Sequence, residues 1–379
     1  MFLRIALFHS TKEKVIPPAT LSGVLWMLLI QDNIPLAPLT TFNVGGPARY
    51  FVDATSEQDV LDAINVAAAG KFPLFVLGGG SNIVVSDDGW PGLVLKVSIP
   101  GMEFRNHATA PAFIAGAGET WDNLVAFAVS NNCAGVECLS GIPGTVGGTP
   151  VQNVGAYGQE VAETITSVRV VEIATGKVMD LSPADCGFSY RTSIFNSTQM
   201  GRYIVLQVTY QLNRRAPKIE YADLKKYFGS SGAPTLQQTR DAVRSIRLSK
   251  AMLIVQGDED CRSAGSFFKN PVVTIKEAER VEALAAQRVP GKLIPRYRAG
   301  NGMVKLPAAW LVEQAGFQKG YARGPAAISR KHTLAIVNRG GAKATDIIAL
   351  KDEIQKRVLD TWGVTLVPEP VFVGFSDHR

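Results

Sequence analysis

Phe72-Pro73-Leu74-Phe75-Val76-Leu77 runs directly into Gly78-Gly79-Gly80-Ser81-Asn82. The first six residues form a short apolar run of strand type. Ahead of them, Thr55 or Ser56 is placed to cap a helix from about Glu57 to Ala69, with Val60, Ile64 and Ala67 or Ala68 on one face and Gly70 at its end. The order is helix, strand, glycine loop. Glycines after a strand let backbone N–H groups approach a diphosphate closely. Taken alone the loop reads more readily as a structural turn. It fits neither GxxxxGK[ST] nor GxGxxG, so neither a P-loop nor a Rossmann fingerprint is supported.

Working outward, a second glycine-dense stretch, Ser140-Gly141-Ile142-Pro143-Gly144-Thr145-Val146-Gly147-Gly148, is followed by Gln152-Asn153-Val154-Gly155-Ala156-Tyr157-Gly158. Two such segments suit a backbone that packs against a flat ring or a pyrophosphate, with the Gln152 and Asn153 amides supplying orientation. Strands are expected at Leu93 to Val97, Phe113 to Ala117, Val168 to Ile173, Val178 to Leu181 and Tyr203 to Leu212. Ala174-Thr175-Gly176-Lys177 reads as a hairpin turn. A helix from about Trp121 to Ser130 interrupts them, another short helical piece lies around Tyr221 to Tyr227, and Thr345 is expected to cap a helix stopped by Gly363. Helices and strands mix without strict alternation, so the fold class is α+β.

The 379 residues exceed the span of one ordinary domain. With 46% hydrophobic and 19% charged residues the chain has globular composition. The net charge of +6 comes with no basic block and no basic stripe interleaved with aromatics, so no nucleic-acid partner is expected. The mild positive excess suits an anionic small molecule or simple solubility. Cys133, Cys138, Cys186 and Cys261 show no CxxC spacing and read as reduced thiols. His9, His107, His332 and His378 are scattered, and no metal site is expected. The apolar run Leu21 to Ile30 is too short to span a bilayer and lacks a small-residue cleavage site. No membrane span is expected, and the N-terminus reads as an extension.

Thr40-Thr41-Phe42-Asn43-Val44-Gly45-Gly46, Gly78 to Asn82 and Gly141 to Tyr157 come in an order that resembles the UDP-N-acetylenolpyruvoylglucosamine reductase family. So do Tyr190-Arg191-Thr192-Ser193-Ile194-Phe195, Ala264 to Asn270 and Pro368-Glu369, and the likeness covers nearly everything after about Asn33. It implies a two-subdomain FAD-binding fold of the vanillyl-alcohol-oxidase type plus a third α+β substrate-binding domain. The divisions it suggests are an N-terminal extension at 1–33, FAD-binding subdomains at 34–98 and 99–250, a substrate-binding domain at 251–362, and a segment at 363–379 returning to the FAD-binding half.

The resemblance also implies a cytoplasmic enzyme of peptidoglycan precursor synthesis, expected to be a monomer. FAD would be held non-covalently by Gly78, Gly79, Gly80, Ser81, Asn82, Gly141, Ile142, Gly147, Gly148 and Asn153. NADPH would supply hydride, and UDP-N-acetylglucosamine enolpyruvate would receive it. Arg191, Ser266 and Glu369 match the catalytic positions: a forked cation for a carboxylate gathering charge, a hydroxyl proton donor and a carboxylate that assists it. Read alone, Arg191 is an ion-pair arginine, Ser266 a turn serine and Glu369 an exposed loop carboxylate. Tyr221 matches a mobile tyrosine over the substrate in one branch of the family, and Lys250, Asn270, Lys319 and His332 match groups near the nucleotide. The segment from Met252 to Arg262 does not align clearly, which leaves Lys250 in doubt. Another flavin oxidase or dehydrogenase on this fold would not need Arg191, Ser266 and Glu369 together, and a flavin-binding sensor would not need to keep them.

Overall fold

Ser56 accepts a hydrogen bond from the Asp59 amide while the Asp59 carboxylate takes the Ser56 amide, and this reciprocal cap starts helix α1 (Glu57–Gly70). Lys71 ends it in a left-handed conformation at φ 52. Val60, Ala63, Ile64 and Ala67 are buried on its inner face. The computed structural model describes residues 28–229 and 232–375. Most of the expected N-terminal extension therefore lies outside the described residues.

Strand β1 (Gln31–Pro35) pairs antiparallel with β2 (Pro47–Ala54), with Gln31 opposite Phe51. Regular pairing thus begins inside the stretch expected as extension. Strands β3 (Leu74–Leu77) and β2 both run parallel to β5 (Trp90–Val97), and β4 (Ile83–Val85) lies beyond the glycine loop. Leu93, Val94 and Leu95 of β5 are all fully buried. That continuous apolar run is what a parallel strand covered on both faces requires.

The second layer is antiparallel. Its strands are β6 (Met102–Arg105), β7 (Ala112–Gly116), β10 (Ile165–Glu172), β11 (Val178–Leu181) and β12 (Tyr203–Gln211), in the order β11-β10-β12-β7-β6. The turn after β10 holds Gly176 at φ 68, and Val171 faces Val178 across the hairpin, as the turn signal predicts. Helix α2 (Trp121–Ser130) buries Trp121, Leu124 and Val125 between the layers. A small ribbon, β8 (Gly155–Ala156) with β9 (Gln159–Glu160), carries the chain past the second glycine segment. Helices α3 (Pro183–Cys186), α4 (Ala222–Phe228) and α5 (Leu236–Ser249) follow.

The C-terminal part packs α6 (Ile275–Arg288), α7 (Ala308–Gln314) and α8 (Ala344–Trp362) on two small sheets. One sheet holds β13 (Val272–Thr274), β14 (Tyr297–Arg298) and β15 (Met303–Lys305); the other holds β16 (Ala322–Arg323), β17 (Ala326–Ile328) and β18 (Ile336–Asn338). Its core includes Phe267, Leu311, Ile354 and Trp362, together with Phe42 and Val84 from the first half. Thr345 does not cap α8. The helix begins at Ala344, and the Ala344 and Thr345 amides are taken by the Asp87 carboxylate at 2.7 and 3.1 Å. A carboxylate from a distant loop supplies what a local side chain was expected to supply. Gly363 closes the helix at φ 64. The last strand, β19 (Val371–Val373), pairs parallel with β4, so the tail lies against the first half. No helix among the described residues is long and apolar enough to cross a membrane.

Candidate active site

The two glycine segments touch backbone to backbone: a Cβ built on Gly79 would stand 2.5 Å from Gly144 Cα. Gly80 needs glycine twice over, since its φ is +62 and a Cβ there would run into the Leu39 carbonyl. The Gly80 carbonyl accepts from the Thr41 amide at 3.1 Å, and the Thr41 hydroxyl donates to the Ser263 carbonyl at 2.6 Å. The Thr40–Gly46 stretch thereby ties the first glycine loop to the segment leading into Ser266.

Below these segments lies a cleft of about 530 Å³. Among the residues expected at a cofactor, Gly78, Gly79, Gly80, Ser81, Asn82, Ile142 and Gly148 line it. Gly141, Gly147 and Asn153 do not. The Gly141 amide is held by Asp122 at 2.6 Å, and a Cβ on Gly147 would stand 2.6 Å from the Ala117 Cβ. The Asn153 amide is buried, bonded to Glu160, to the Ser189 carbonyl and to the Ala162 amide. Those three positions hold the loop's shape from behind. Gly144, Thr145 and Gln152 line the cleft in their neighbourhood.

Arg191, Ser266 and Glu369 reach the same cleft from three parts of the chain. Arg191 sits in the tight turn where Ser189 and Thr192 exchange backbone bonds, at a left-handed φ of 55. A non-glycine residue held there stores backbone strain. The turn is pinned by Asn196, which donates to the Arg191 carbonyl at 3.1 Å, and by Ser193, which donates to the Val151 carbonyl at 2.6 Å. Arg191 Nε lies 3.2 Å from Glu369 Oε1, with only 22% and 14% of the two side chains exposed. The Glu369 amide donates to the Phe267 carbonyl at 2.8 Å, and its carbonyl accepts from Asn82 at 3.2 Å. Phe268 and Pro368 form an antiparallel bridge, which sets Glu369 beside the residue after Ser266.

The remaining expected residues divide. Tyr221, Lys250, Asn270 and His332 line the cleft; Lys319 does not. Lys250 is paired with Asp223 at 2.6 Å. Asn270 accepts from the Ala308 amide at 2.9 Å. Tyr221 is 45% exposed, with its ring edge-on to Tyr157 at 5.4 Å. Burial, then the charges of Lys250, Lys319 and Arg247, push the His332 imidazole down to about 4, and its Nδ1 accepts from the Leu334 amide at 3.2 Å.

Three side chains at the site were not singled out from the sequence. Burial pushes the Tyr190 phenol up, and Lys305 Nζ stands 3.7 Å above its ring. Arg247 is a buried guanidinium in the cleft wall. Arg240, Arg244 and Arg247 share one face of α5, where Arg240 and Arg244 grip the Asp122 carboxylate. Three arginines at helical spacing were the available signal.

These features define an FAD-binding α+β flavoprotein: residues 48–182 match the model described as "FAD binding domain". Residues 256–373 match "UDP-N-acetylenolpyruvoylglucosamine reductase, C-terminal domain". The chain is similar to the UDP-N-acetylenolpyruvoylglucosamine reductase of Thermobifida fusca, 44% identical over 91% of this chain and 98% of that one. That of Streptomyces coelicolor is also 44% identical, over 91% and 90%. The crystal structure of UDP-N-acetylenolpyruvylglucosamine reductase from Thermus caldophilus superposes with a TM-score of 0.59 at 25% identity, covering 90% of this chain and 98% of that one. The chain belongs to the UDP-N-acetylenolpyruvoylglucosamine reductase family and is an FAD-dependent oxidoreductase.

Proposed function

We propose that the chain reduces UDP-N-acetylglucosamine enolpyruvate to UDP-N-acetylmuramate with NADPH and non-covalent FAD, as a cytoplasmic monomer in peptidoglycan precursor synthesis. The observation that carries this reading is the meeting of Arg191 and Glu369 at 3.2 Å on the wall of the cleft that Ser266 and both glycine segments also line.

The cleft fits FAD. A Cβ on Gly148 would meet nothing within 4 Å among the described residues, and Gly148 lines the cleft, so its missing side chain leaves room for a ligand. Gly78 to Asn82, Ile142, Gly144, Thr145 and Gly148 would hold the cofactor through backbone donors and close approach. Held there, FAD would supply the hydride chemistry that links NADPH to the terminal enolpyruvyl carbon.

The chain's own groups do the rest. As that carbon gains hydride, negative charge gathers on the neighbouring carbon and its carboxylate, and the forked Arg191 cation stabilises it. Ser266 holds the proton for the carbon. A serine hydroxyl is too weak an acid for most substrates but serves a very basic carbanion when neighbours stabilise the oxygen left behind. Glu369, fixed at both of its peptide groups, assists that delivery. Lys250, Asn270, His332 and Tyr221 take the nucleotide end, with Lys319 acting from outside the lining.

The test separates the half-reactions of Ser266→Ala under anaerobic conditions. NADPH is expected to reduce the flavin at the wild-type rate, and reoxidation by the enolpyruvyl nucleotide to slow by about 10²- to 10⁴-fold. Reoxidation at the wild-type rate removes Ser266 from this role. A wild-type protein showing no substrate-dependent NADPH oxidation overturns the function.

A further inference from the structure

Arg247 is 7% exposed and faces three parts of the site at once. Its Nε donates to the Gly141 carbonyl at 3.1 Å, and one terminal nitrogen donates to the Met252 carbonyl at 2.6 Å. Its charge also lies beside the Tyr157 hydroxyl, whose pKa burial pushes up to about 12, so the phenol stays protonated. Tyr157 in turn packs edge-on against Tyr221.

Each contact is costly to maintain, which argues against chance. Among the described residues no carboxylate stands within ion-pair distance of this buried cation; the nearby Asp122 is gripped by Arg240 and Arg244. Burying a guanidinium on carbonyl and phenol oxygens alone is unfavourable unless the geometry it imposes is needed. Tyr157 is likewise held at a left-handed φ of 50. The Gly141 peptide is clamped from both sides, its amide by Asp122 and its carbonyl by Arg247.

We propose that Arg247 is a positioning residue that couples the second glycine segment to the Tyr157–Tyr221 pair at the mouth of the cleft, so that filling the cofactor cradle orders the mouth. The proposal rests on the reading of this cleft as the FAD and substrate site. Gly141 leads directly into Ile142 and Gly144, which line the cradle, while Tyr221 begins α4 at the opening. Arg247 spans the two with one rigid fork, and a lysine could reach only one of its two carbonyl acceptors.

The experiment follows amide hydrogen exchange of residues 219–224 in the full chain, with and without FAD, for wild type, Arg247→Lys and Tyr157→Phe. In wild type, FAD is expected to slow exchange there. Tyr157→Phe keeps the loop clamp, so it binds FAD normally but loses the slowing, and its KM for the enolpyruvyl nucleotide rises roughly tenfold with kcat little changed. Arg247→Lys loses the slowing and also weakens FAD binding by roughly tenfold. The KM of the double variant equals that of Arg247→Lys, because both lie on one path.

If Tyr157→Phe retains the full FAD-induced slowing, or the two KM effects multiply, Arg247 is structural only and the proposal is overturned. Should Arg247→Lys fail to fold, Tyr157→Phe still decides it. Wild-type protein that binds FAD but does not turn over the nucleotide removes the substrate reading, while the exchange measurement continues to test the coupling.

Discussion

Arg191 Nε stands 3.2 Å from Glu369 Oε1, yet its N–H points past the carboxylate, and the buried nitrogen has no hydrogen-bond partner among the described residues. The pair is held by charge and proximity without a directional bond. An unsatisfied buried donor costs about 1–3 kcal/mol, and Arg191 also carries a strained backbone at φ 55. The donor penalty would be removed by an anionic acceptor at Nε, as the proposed role of Arg191 requires, whereas the backbone strain is set by the turn itself.

Arg191→Lys keeps the charge and loses the fork. It is expected to lower kcat by about 10²- to 10³-fold, with a smaller change in KM, because the lost bonds matter most as charge develops. Steady-state kinetics at saturating NADPH check this. A change confined to KM would make Arg191 a simple substrate-binding group.

Gly79 and Gly148 separate packing from ligand space. Gly79→Ala drives a methyl into Gly144 and is expected to destabilise the apoprotein by about 1–3 kcal/mol. Gly148→Ala meets no described atom within 4 Å, so the apoprotein melts as wild type while FAD binds more weakly. Melting curves with and without FAD distinguish the two. Unchanged FAD affinity in Gly148→Ala would place the cofactor elsewhere.

His332 ties stability to acid pH. Its folded pKa, about 4, lies below the ordinary 6.5, chiefly through burial and then through Lys250, Lys319 and Arg247. The unfolded chain therefore takes a proton that the folded chain refuses. The His332 contribution is fully present above pH 6.5 and is lost as pH falls to about 4, on the order of 3 kcal/mol in all. Protonating Nδ1 would also displace the Leu334 amide. Urea unfolding at pH 7 and 4.5 should show a smaller acid loss for His332→Gln than for wild type. An equal loss would show that His332 is not the group responsible.

Asp87→Ala removes the carboxylate that satisfies the first two amides of α8 and is expected to cost about 1 kcal/mol. Thr345→Ala should be nearly neutral. If thermal melts rank the two the other way, Thr345 is the cap after all.

Local chemistry was legible wherever it is settled within a few residues. Helix α2 was read at its observed bounds, β11 likewise, and the Gly176 turn, the Gly363 stop and the Ser56 alternative for α1 all hold. Each depends on periodicity, a cap or a left-handed glycine, which neighbouring residues alone impose. The short strands and helices beyond residue 270 were not read, because pieces such as β14 and β16, two residues each, exist only through partners brought by the fold.

The sequence by itself determined the α+β class, the two glycine segments and the ordered motifs that mark the family. Only the tertiary structure decided which glycines face the cleft: Gly141 and Gly147 carry the same signal as Gly148 yet turn their backs to it. It also decided that Asp87 caps a helix far along the chain, that Arg247 links loop to mouth, and that Arg191 meets Glu369. Such contacts join residues too distant for any spacing rule. The last of them forms because β19 pairs with β4, carrying the tail back to the glycine loop. That pairing sets Glu369 on the cleft that Ser266 and Arg191 also line.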